Sequence, residues 1–206
     1  MAKKKANLGF ITKIIVLALC AVTAISFFLP AFGPKEEAGI KYSNCQICFL
    51  SEERADEKAQ EYAEDATSAT LQGNDEEGEK LMNKALSYEL IANIKDEDFS
   101  GRVSAISGAW FHFAAMLISI VSMVLIILSL LGKELAKYSI IFTNLCFILM
   151  IVALCCGISF LGTEIGSTTL GESFAFKFGG VILGLISSFL AGVAIVVPCF
   201  AKKKSK

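Results

Sequence analysis

The sequence is poor in the residues that most catalytic and metal sites need. Its 206 residues include one histidine, one tryptophan and three prolines, and only 19% of them are charged. A structural zinc site needs four cysteine or histidine ligands, and the loops between the apolar runs offer two cysteines. We therefore expect no metal, no cofactor and no nucleic-acid partner, and the scarcity of catalytic residue types favours a protein that is not an enzyme.

Apolar residues are abundant: they make up 54% of the chain, and the mean hydropathy is +0.61. A helix needs about 20 apolar residues to cross about 30 Å of hydrocarbon. Four stretches are long enough, at 8–32, 103–131, 138–161 and 174–200. We predict an all-α fold, a bundle of four transmembrane helices. No acid or base lies in the middle of spans two to four, which argues against a coupled transporter.

Lysine and arginine fall on one side of the predicted membrane. The segments 1–7, 132–137 and 201–206, with Lys13, hold ten basic residues and the single acid Glu134. The loops 33–102 and 162–173 belong to a side with nineteen acids and nine bases. The positive-inside rule then predicts a multi-pass protein of the plasma membrane with both termini in the cytoplasm. In a eukaryote, Lys203 and Lys204 resemble a dilysine signal for retrieval to the endoplasmic reticulum.

Aromatic residues gather near the outer ends of two spans, where interfacial belts are expected. They are Trp110, Phe111 and Phe113 of the second span and Phe174, Phe176 and Phe178 of the fourth. We expect His112, which lies among the first group, to be an interfacial residue of the same belt.

The long acidic loop 33–102 contains two helix-like pieces. The first, 52–71, follows Ser51, a good N-cap residue, and Gly73 is a natural stop. The second begins after Asn74 with three acids in its first turn, where the helix dipole favours them. Together they predict a helical hairpin outside the membrane, between spans one and two.

Cys45 and Cys48 form the sharpest motif in the chain. They lie in the loop predicted to be outside, where thiols oxidise, so a local disulfide is the first interpretation. The second is a redox pair, because Cys-X-X-Cys sites often lower the pKa of a thiol.

The residues around this pair resemble the bacterial four-span membrane oxidases of the DsbB type, which generate disulfides. The similarity covers about ten residues, Cys45-Gln46-Ile47-Cys48-Phe49-Leu50-Ser51-Glu52-Glu53-Arg54. It implies a membrane thiol–disulfide oxidoreductase with a quinone cofactor, in which Cys45, Cys48 and Arg54 are the catalytic residues. The family carries a second cysteine pair in its second outer loop, whereas the loop 162–173 has no cysteine.

The fourth span carries small residues at every fourth position: Gly180, Gly184, Ser188 and Gly192. Small residues let two membrane helices approach closely. This helix-packing ladder serves either the bundle itself, a partner span or a second copy of the chain.

The layout is tetraspan-like in topology. The leading functional hypothesis is a scaffold or accessory subunit in the lipid bilayer, presenting its acidic loop to an extracytoplasmic or membrane protein and able to form a homo-oligomer. The alternative is the oxidoreductase of Cys45 and Cys48, and the third hypothesis is a small channel or lipid-handling protein.

Overall fold

The computed structural model describes residues 2–34, 41–131, 135–165 and 168–203. Most of them are helical. Lys204, one of the two lysines of the suggested retrieval signal, lies outside the described residues, as does half of the turn 132–137. The α-helices are α1 Ala2–Ser26, α2 Asn44–Phe49, α3 Glu52–Leu71, α4 Asp75–Lys95, α5 Arg102–Leu130, α6 Ala136–Leu161, α7 Leu170–Ser173 and α8 Leu183–Lys203, and a short π-helix, Phe178–Ile182, leads into α8. The strands are β1 Pro30–Pro34, β2 Tyr42–Ser43, β3 Glu164–Ile165, β4 Thr168–Thr169 and β5 Phe174–Phe176.

Four helices are long and apolar enough to cross a membrane, as the sequence predicts. The qualifying segments are Gly9–Ser26, Arg102–Leu130, Lys137–Leu161 and Phe178–Val196. They form a ring in which α1 and α6 each pack against both α5 and α8. The chain is therefore a multi-pass, membrane-embedded protein.

Small side chains set the distance between neighbouring spans. A Cβ on Gly108 of α5 would lie 3.1 Å from the Cβ of Cys156 in α6, and one on Gly192 of α8 would lie 3.3 Å from Oδ1 of Asn144. Larger residues at these positions would push the helices apart, which is the reason that small residues are favoured where membrane helices meet.

A small antiparallel sheet covers one end of the bundle, which we call the sheet end. Strand β1 pairs with β2 on one side and with β5 on the other. Phe32 lies opposite Phe176, with ring centroids 5.0 Å apart, and both rings pack over Gly157 of α6. The backbone N–H of Lys177 extends the pairing by donating to the carbonyl oxygen of Ala31 at 2.8 Å.

The sheet corrects the predicted limits of spans one and four. The helix of span one ends at Ser26, although the apolar run continues to residue 32, and span four becomes helical at Phe178 and not at residue 174. Residues 27–29 form a turn, and most of the other residues in question belong to β1 and β5. An apolar run alone does not distinguish a buried strand from the end of a membrane helix, and for this reason the all-α prediction missed both short sheets.

Helices α3 and α4 pack against each other. The Ser51 hydroxyl accepts a hydrogen bond from the backbone of Arg54 at the start of α3, and Gly73 takes a positive φ of 79° between the two helices. Gly78 of α4 lies directly against Thr70 of α3. The small residue at this point allows the close approach of the two backbones.

One buried apolar cluster joins the sheet end of the bundle to the near ends of α3 and α4. It contains Phe27, just after the end of α1, Ala109 of the second span, Ala55 of α3, and Ile91 and Ile94 of α4. These two helices are therefore anchored in the core of the bundle at one end.

The opposite end of the bundle has a separate buried cluster, formed by Val16, Cys20, Ile126 and Ala191. There the ammonium group of Lys13 donates to the carbonyl oxygen of Ser129 at 3.0 Å. A cation at a helix C-terminus is favoured by the helix dipole, so the one charge inside the first span stabilises the end of α5.

Candidate functional site

The buried polar side chains and the thiols of the sheet end lie in or near α2, a helix of six residues. Ser43 and Gln46 close a capping box: the Ser43 hydroxyl accepts from the Gln46 backbone, and the Gln46 side chain accepts from the Ser43 backbone. Reciprocal capping satisfies two backbone donors that a short helix would leave open. The box fixes where α2 begins and therefore which way Asn44 and Cys48 point.

Asn44 attaches α2 to the membrane spans through the only histidine. Its side-chain nitrogen lies 2.7 Å from Nδ1 of His112, and Nε2 of His112 lies 3.0 Å from the hydroxyl oxygen of Ser26. Asn44 and Ser26 are at most 1% exposed, and His112 is completely buried. A three-residue chain of hydrogen bonds therefore links α2, α5 and α1.

The proton positions in this chain follow from its last member. The Ser26 hydroxyl also lies 2.7 Å from the carbonyl oxygen of Thr23, which can only accept. Since a hydroxyl has one proton, Ser26 donates to Thr23 and accepts from Nε2 of His112. Nδ1 is then the acceptor of the neutral ring, and Asn44 donates to it with its amide N–H.

The same set of hydrogen-bonded side chains extends to the fourth span. The hydroxyl of Thr23 lies 2.7 Å from that of Ser187 in α8. Gly184, one turn earlier, sits against the group: a Cβ there would lie 2.5 Å from the Ser26 hydroxyl and 3.3 Å from Nε2 of His112. Three of the four spans and α2 therefore meet in one hydrogen-bonded cluster, which we call the His112 cluster (Thr23, Ser26, Asn44, His112 and Ser187).

The expectation for His112 was wrong. Its two neighbours, Trp110 and Phe111, are exposed, whereas His112 points into the bundle. Its partners could not be read from the sequence, because Ser26 and Asn44 lie 86 and 68 residues away. The other four members of the cluster were missed. For Thr23, Ser26 and Ser187 the only signal was a small polar residue within an apolar run.

Cys45 and Cys48 lie on one turn of α2, as two free thiols. Burial raises the pKa of the Cys48 thiol to about 11, although the nearby positive charge of Lys95 lowers it in part. Burial also raises the pKa of Cys45. A redox-active pair needs a thiol whose pKa is lowered, so the electrostatics of α2 weigh against catalysis. The disulfide between the two residues stays a prediction.

The third residue of the DsbB-type resemblance, Arg54, lies on the exposed first turn of α3. The cation that acts on Cys48 is Lys95 at the end of α4, which the sequence did not single out. Among the described residues, no group of three or more His, Cys, Asp or Glu side chains could hold a metal ion.

All four residues of the helix-packing ladder are buried within the chain. Gly180 lies directly under Ala31 of β1, and Gly184 meets Ser26 of α1 and Met150 of α6. The ladder faces the bundle, so this side of α8 is already occupied by the chain's own helices.

No family model matches this chain, and neither a curated protein nor a solved structure matches it. Its function is therefore inferred from its own residues.

Proposed function

We propose that this chain is a non-enzymatic scaffold or accessory subunit of the plasma membrane, which presents α3 and α4 as a helical hairpin to a protein partner. The attachment of the hairpin carries this proposal. Ile91 and Ile94 of α4 are buried in the same cluster as Ala109 of the second span and Phe27, the residue after the first span. A hairpin with its base in the bundle core is held in a fixed direction, which is the property that a presented binding surface needs.

The charge of the hairpin suggests the chemistry of the partner. Helices α3 and α4 carry twelve acidic and five basic residues. The acidic residues are exposed along both helices. A surface whose charges have mostly one sign accelerates and orients the binding of a partner with the opposite charge. We therefore propose a basic protein surface as the partner, on the side opposite to the two cytoplasmic termini.

The proposal is tested by reversing charge on the hairpin alone. Glu57, Glu61 and Glu64 are exposed residues of α3, and the triple change to Lys reverses one face of it. Glu172→Lys, an exposed position in α7 of the other loop, is the matched control. Each chain is purified from membranes in mild detergent, and the proteins that accompany it are quantified.

We expect a partner that accompanies the wild type and the Glu172→Lys chain, but not the triple variant. The association should also weaken as salt is added, because salt screens exposed charges over about 10 Å at 0.1 M. The same set of proteins at the same yield with all three chains would contradict the proposal.

The oxidoreductase is the second candidate because of its cysteine spacing, and the raised pKa of Cys48 argues against it. A Cys48→Ser chain that traps a partner as a mixed disulfide with Cys45 would replace the scaffold proposal. The third candidate, a channel or lipid-handling protein, gains no support from the bundle interior, where Thr23 and Ser187 hydrogen-bond to each other.

A further inference from the structure

Five aromatic side chains, from α2, from α5 and from the turn that follows α1, meet where α2 packs on α5. This aromatic patch consists of Phe27, Phe28, Phe49, Trp110 and Phe113. The ring of Phe49 in α2 lies 6.0 Å from that of Trp110 and 5.2 Å from that of Phe113. Three members face outward: Phe28 is 59%, Phe49 58% and Trp110 47% exposed. One face of α2 is therefore buried against the bundle, whereas the ring of Phe49 is exposed on its other face.

The length of α5 gives the level of the patch relative to the bilayer. α5 has 29 residues, whereas about 20 residues cross the hydrocarbon layer. Counted back from the end at Leu130, that length reaches Phe111, next to Trp110. The apolar part of α1 ends independently at Ser26, which is hydrogen-bonded to His112 at the same level. Both helices place the patch at the boundary between hydrocarbon and headgroups.

Below the patch, the same side of the bundle is apolar. Leu117 and Val124 follow Trp110 at intervals of seven residues on α5. Ile25 lies in the last turn of α1, three residues before Phe28, and all three of these aliphatic residues are exposed. These residues belong to the spans and face lipid. The patch continues the lipid-facing surface upward without a charged residue between them, so the occupant of its free side is the bilayer.

We infer that α2 is a membrane-interface helix, whose Phe49 inserts with Trp110 and Phe28 into the headgroup region of the leaflet at the sheet end. Aromatic side chains are favoured at this level because their rings suit the boundary between water and hydrocarbon. The inference assigns a lipid-binding role to a loop residue outside the four spans. It also places Cys45 and Cys48 at the membrane surface and not in the aqueous loop.

The single tryptophan of the chain makes the patch directly measurable. The full-length protein is reconstituted in bilayers of ordinary phosphatidylcholine or of the same lipid carrying bromine on its acyl chains near the headgroup, since bromine quenches tryptophan emission at short range. We expect Trp110 to lose much of its emission in the brominated bilayer, and lipids brominated near the chain ends to quench it less. Equal emission in all three bilayers would overturn the level assigned to the patch.

A moved tryptophan then tests Phe49 itself. The variant Phe49→Trp/Trp110→Phe carries its one tryptophan on α2, and Leu71→Trp/Trp110→Phe carries it at the far end of α3, where Leu71 is 83% exposed. We expect the first to be quenched by brominated lipid and shielded from aqueous iodide, and the second to behave in the opposite way.

Quenching of both variants by iodide alone would show that α2 lies in water, and the inference would be wrong. If the moved tryptophan prevents folding, the wild-type measurement still decides the level of the patch, because Trp110 packs beside Phe49. The inference does not depend on the scaffold proposal, since neither measurement involves a protein partner.

Discussion

The sheet end of the bundle and the far halves of α3 and α4 are held by different kinds of contact. At the sheet end, the His112 cluster joins residues from four elements that are distant in sequence, such as Asn44 and His112. In the far halves of α3 and α4, the contacts are between two consecutive helices, as where Gly78 meets Thr70. The ends of α3 and α4 near the bundle therefore share its stability, whereas their far halves depend on local packing.

The strongest test of the sheet end is Gly180→Ala. A Cβ at Gly180 would collide with the backbone of Ala31, which cannot rotate away as a side chain can. We expect a loss of about 3 kcal/mol in the free energy of unfolding, at the upper end of the usual cost of overpacking. Gly9→Ala is the matched control, because nothing lies within 4 Å of its new methyl group. Unfolding in a membrane mimetic measures both variants, and equal stabilities would show that β1 does not press on the start of the fourth span.

His112→Leu tests the cluster. It leaves the buried amide of Asn44 without its acceptor, whereas the Ser26 hydroxyl loses the His112 donor and keeps its own hydrogen bond to the Thr23 carbonyl. An unsatisfied buried polar group costs about 1–3 kcal/mol. We expect the free energy of unfolding to fall by about 2–3 kcal/mol and Cys48 to react faster with maleimide as α2 loosens. Ser26→Ala, which keeps the pair of Asn44 and His112, should cost less. A larger effect for Ser26→Ala would contradict the order of the hydrogen bonds.

The pH dependence of thiol labelling compares the two regions directly. Burial raises the pKa of Cys48 from 9.0 to about 11, which lowers its thiolate fraction about a hundredfold below pH 9. In a Cys45→Ser background, we expect the labelling rate of Cys48 to rise up to about pH 11. A thiol introduced by Ser68→Cys, on the exposed side of α3, should level off near its ordinary pKa. A plateau for Cys48 near neutral pH would favour the oxidoreductase.

The same pKa shift links stability to pH. The unfolded chain loses the Cys48 proton above pH 9.0, whereas the folded chain keeps it until about pH 11. The stability contributed by the buried thiol is therefore present below pH 9.0 and is lost as the pH rises through that window. Cys48→Ala should remove this part of the decline in a titration of the free energy of unfolding.

The smallest effect is expected midway along the two packed helices α3 and α4. The rings of Tyr62 and Tyr88 stack 5.6 Å apart at 12°, with Lys84 over Tyr62 and Lys58 over Tyr88. Tyr62→Ala removes one ring of this stack, and we expect a local loss of about 1 kcal/mol. Hydrogen exchange should quicken in α3 and α4 and stay unchanged in α5, with Glu61→Ala as control. Faster exchange in α5 as well would mean that the two regions unfold together.

Much of the helical structure could be predicted from the sequence, because its causes are local. The bounds of α3 follow from the Ser51 cap and the positive φ at Gly73, and four spans follow from apolar length. The sheet could not be predicted, because β1 and β5 are separated by more than 140 residues of sequence, as the pair Phe32 and Phe176 shows. Only part of the candidate site could be predicted. Cys45 and Cys48 stand out in the sequence, whereas the burial that raises the pKa of Cys48 depends on residues from other helices.

The pairing of β1 with β5 has a consequence for biosynthesis. β1 follows the first span and β5 precedes the last of the four, so the ribosome has made most of the chain before the two strands can meet. Until then α1 lacks α8, one of its two neighbours in the ring, and Thr23 lacks Ser187. The contacts between the first and fourth spans are therefore the last of the ring that synthesis makes possible.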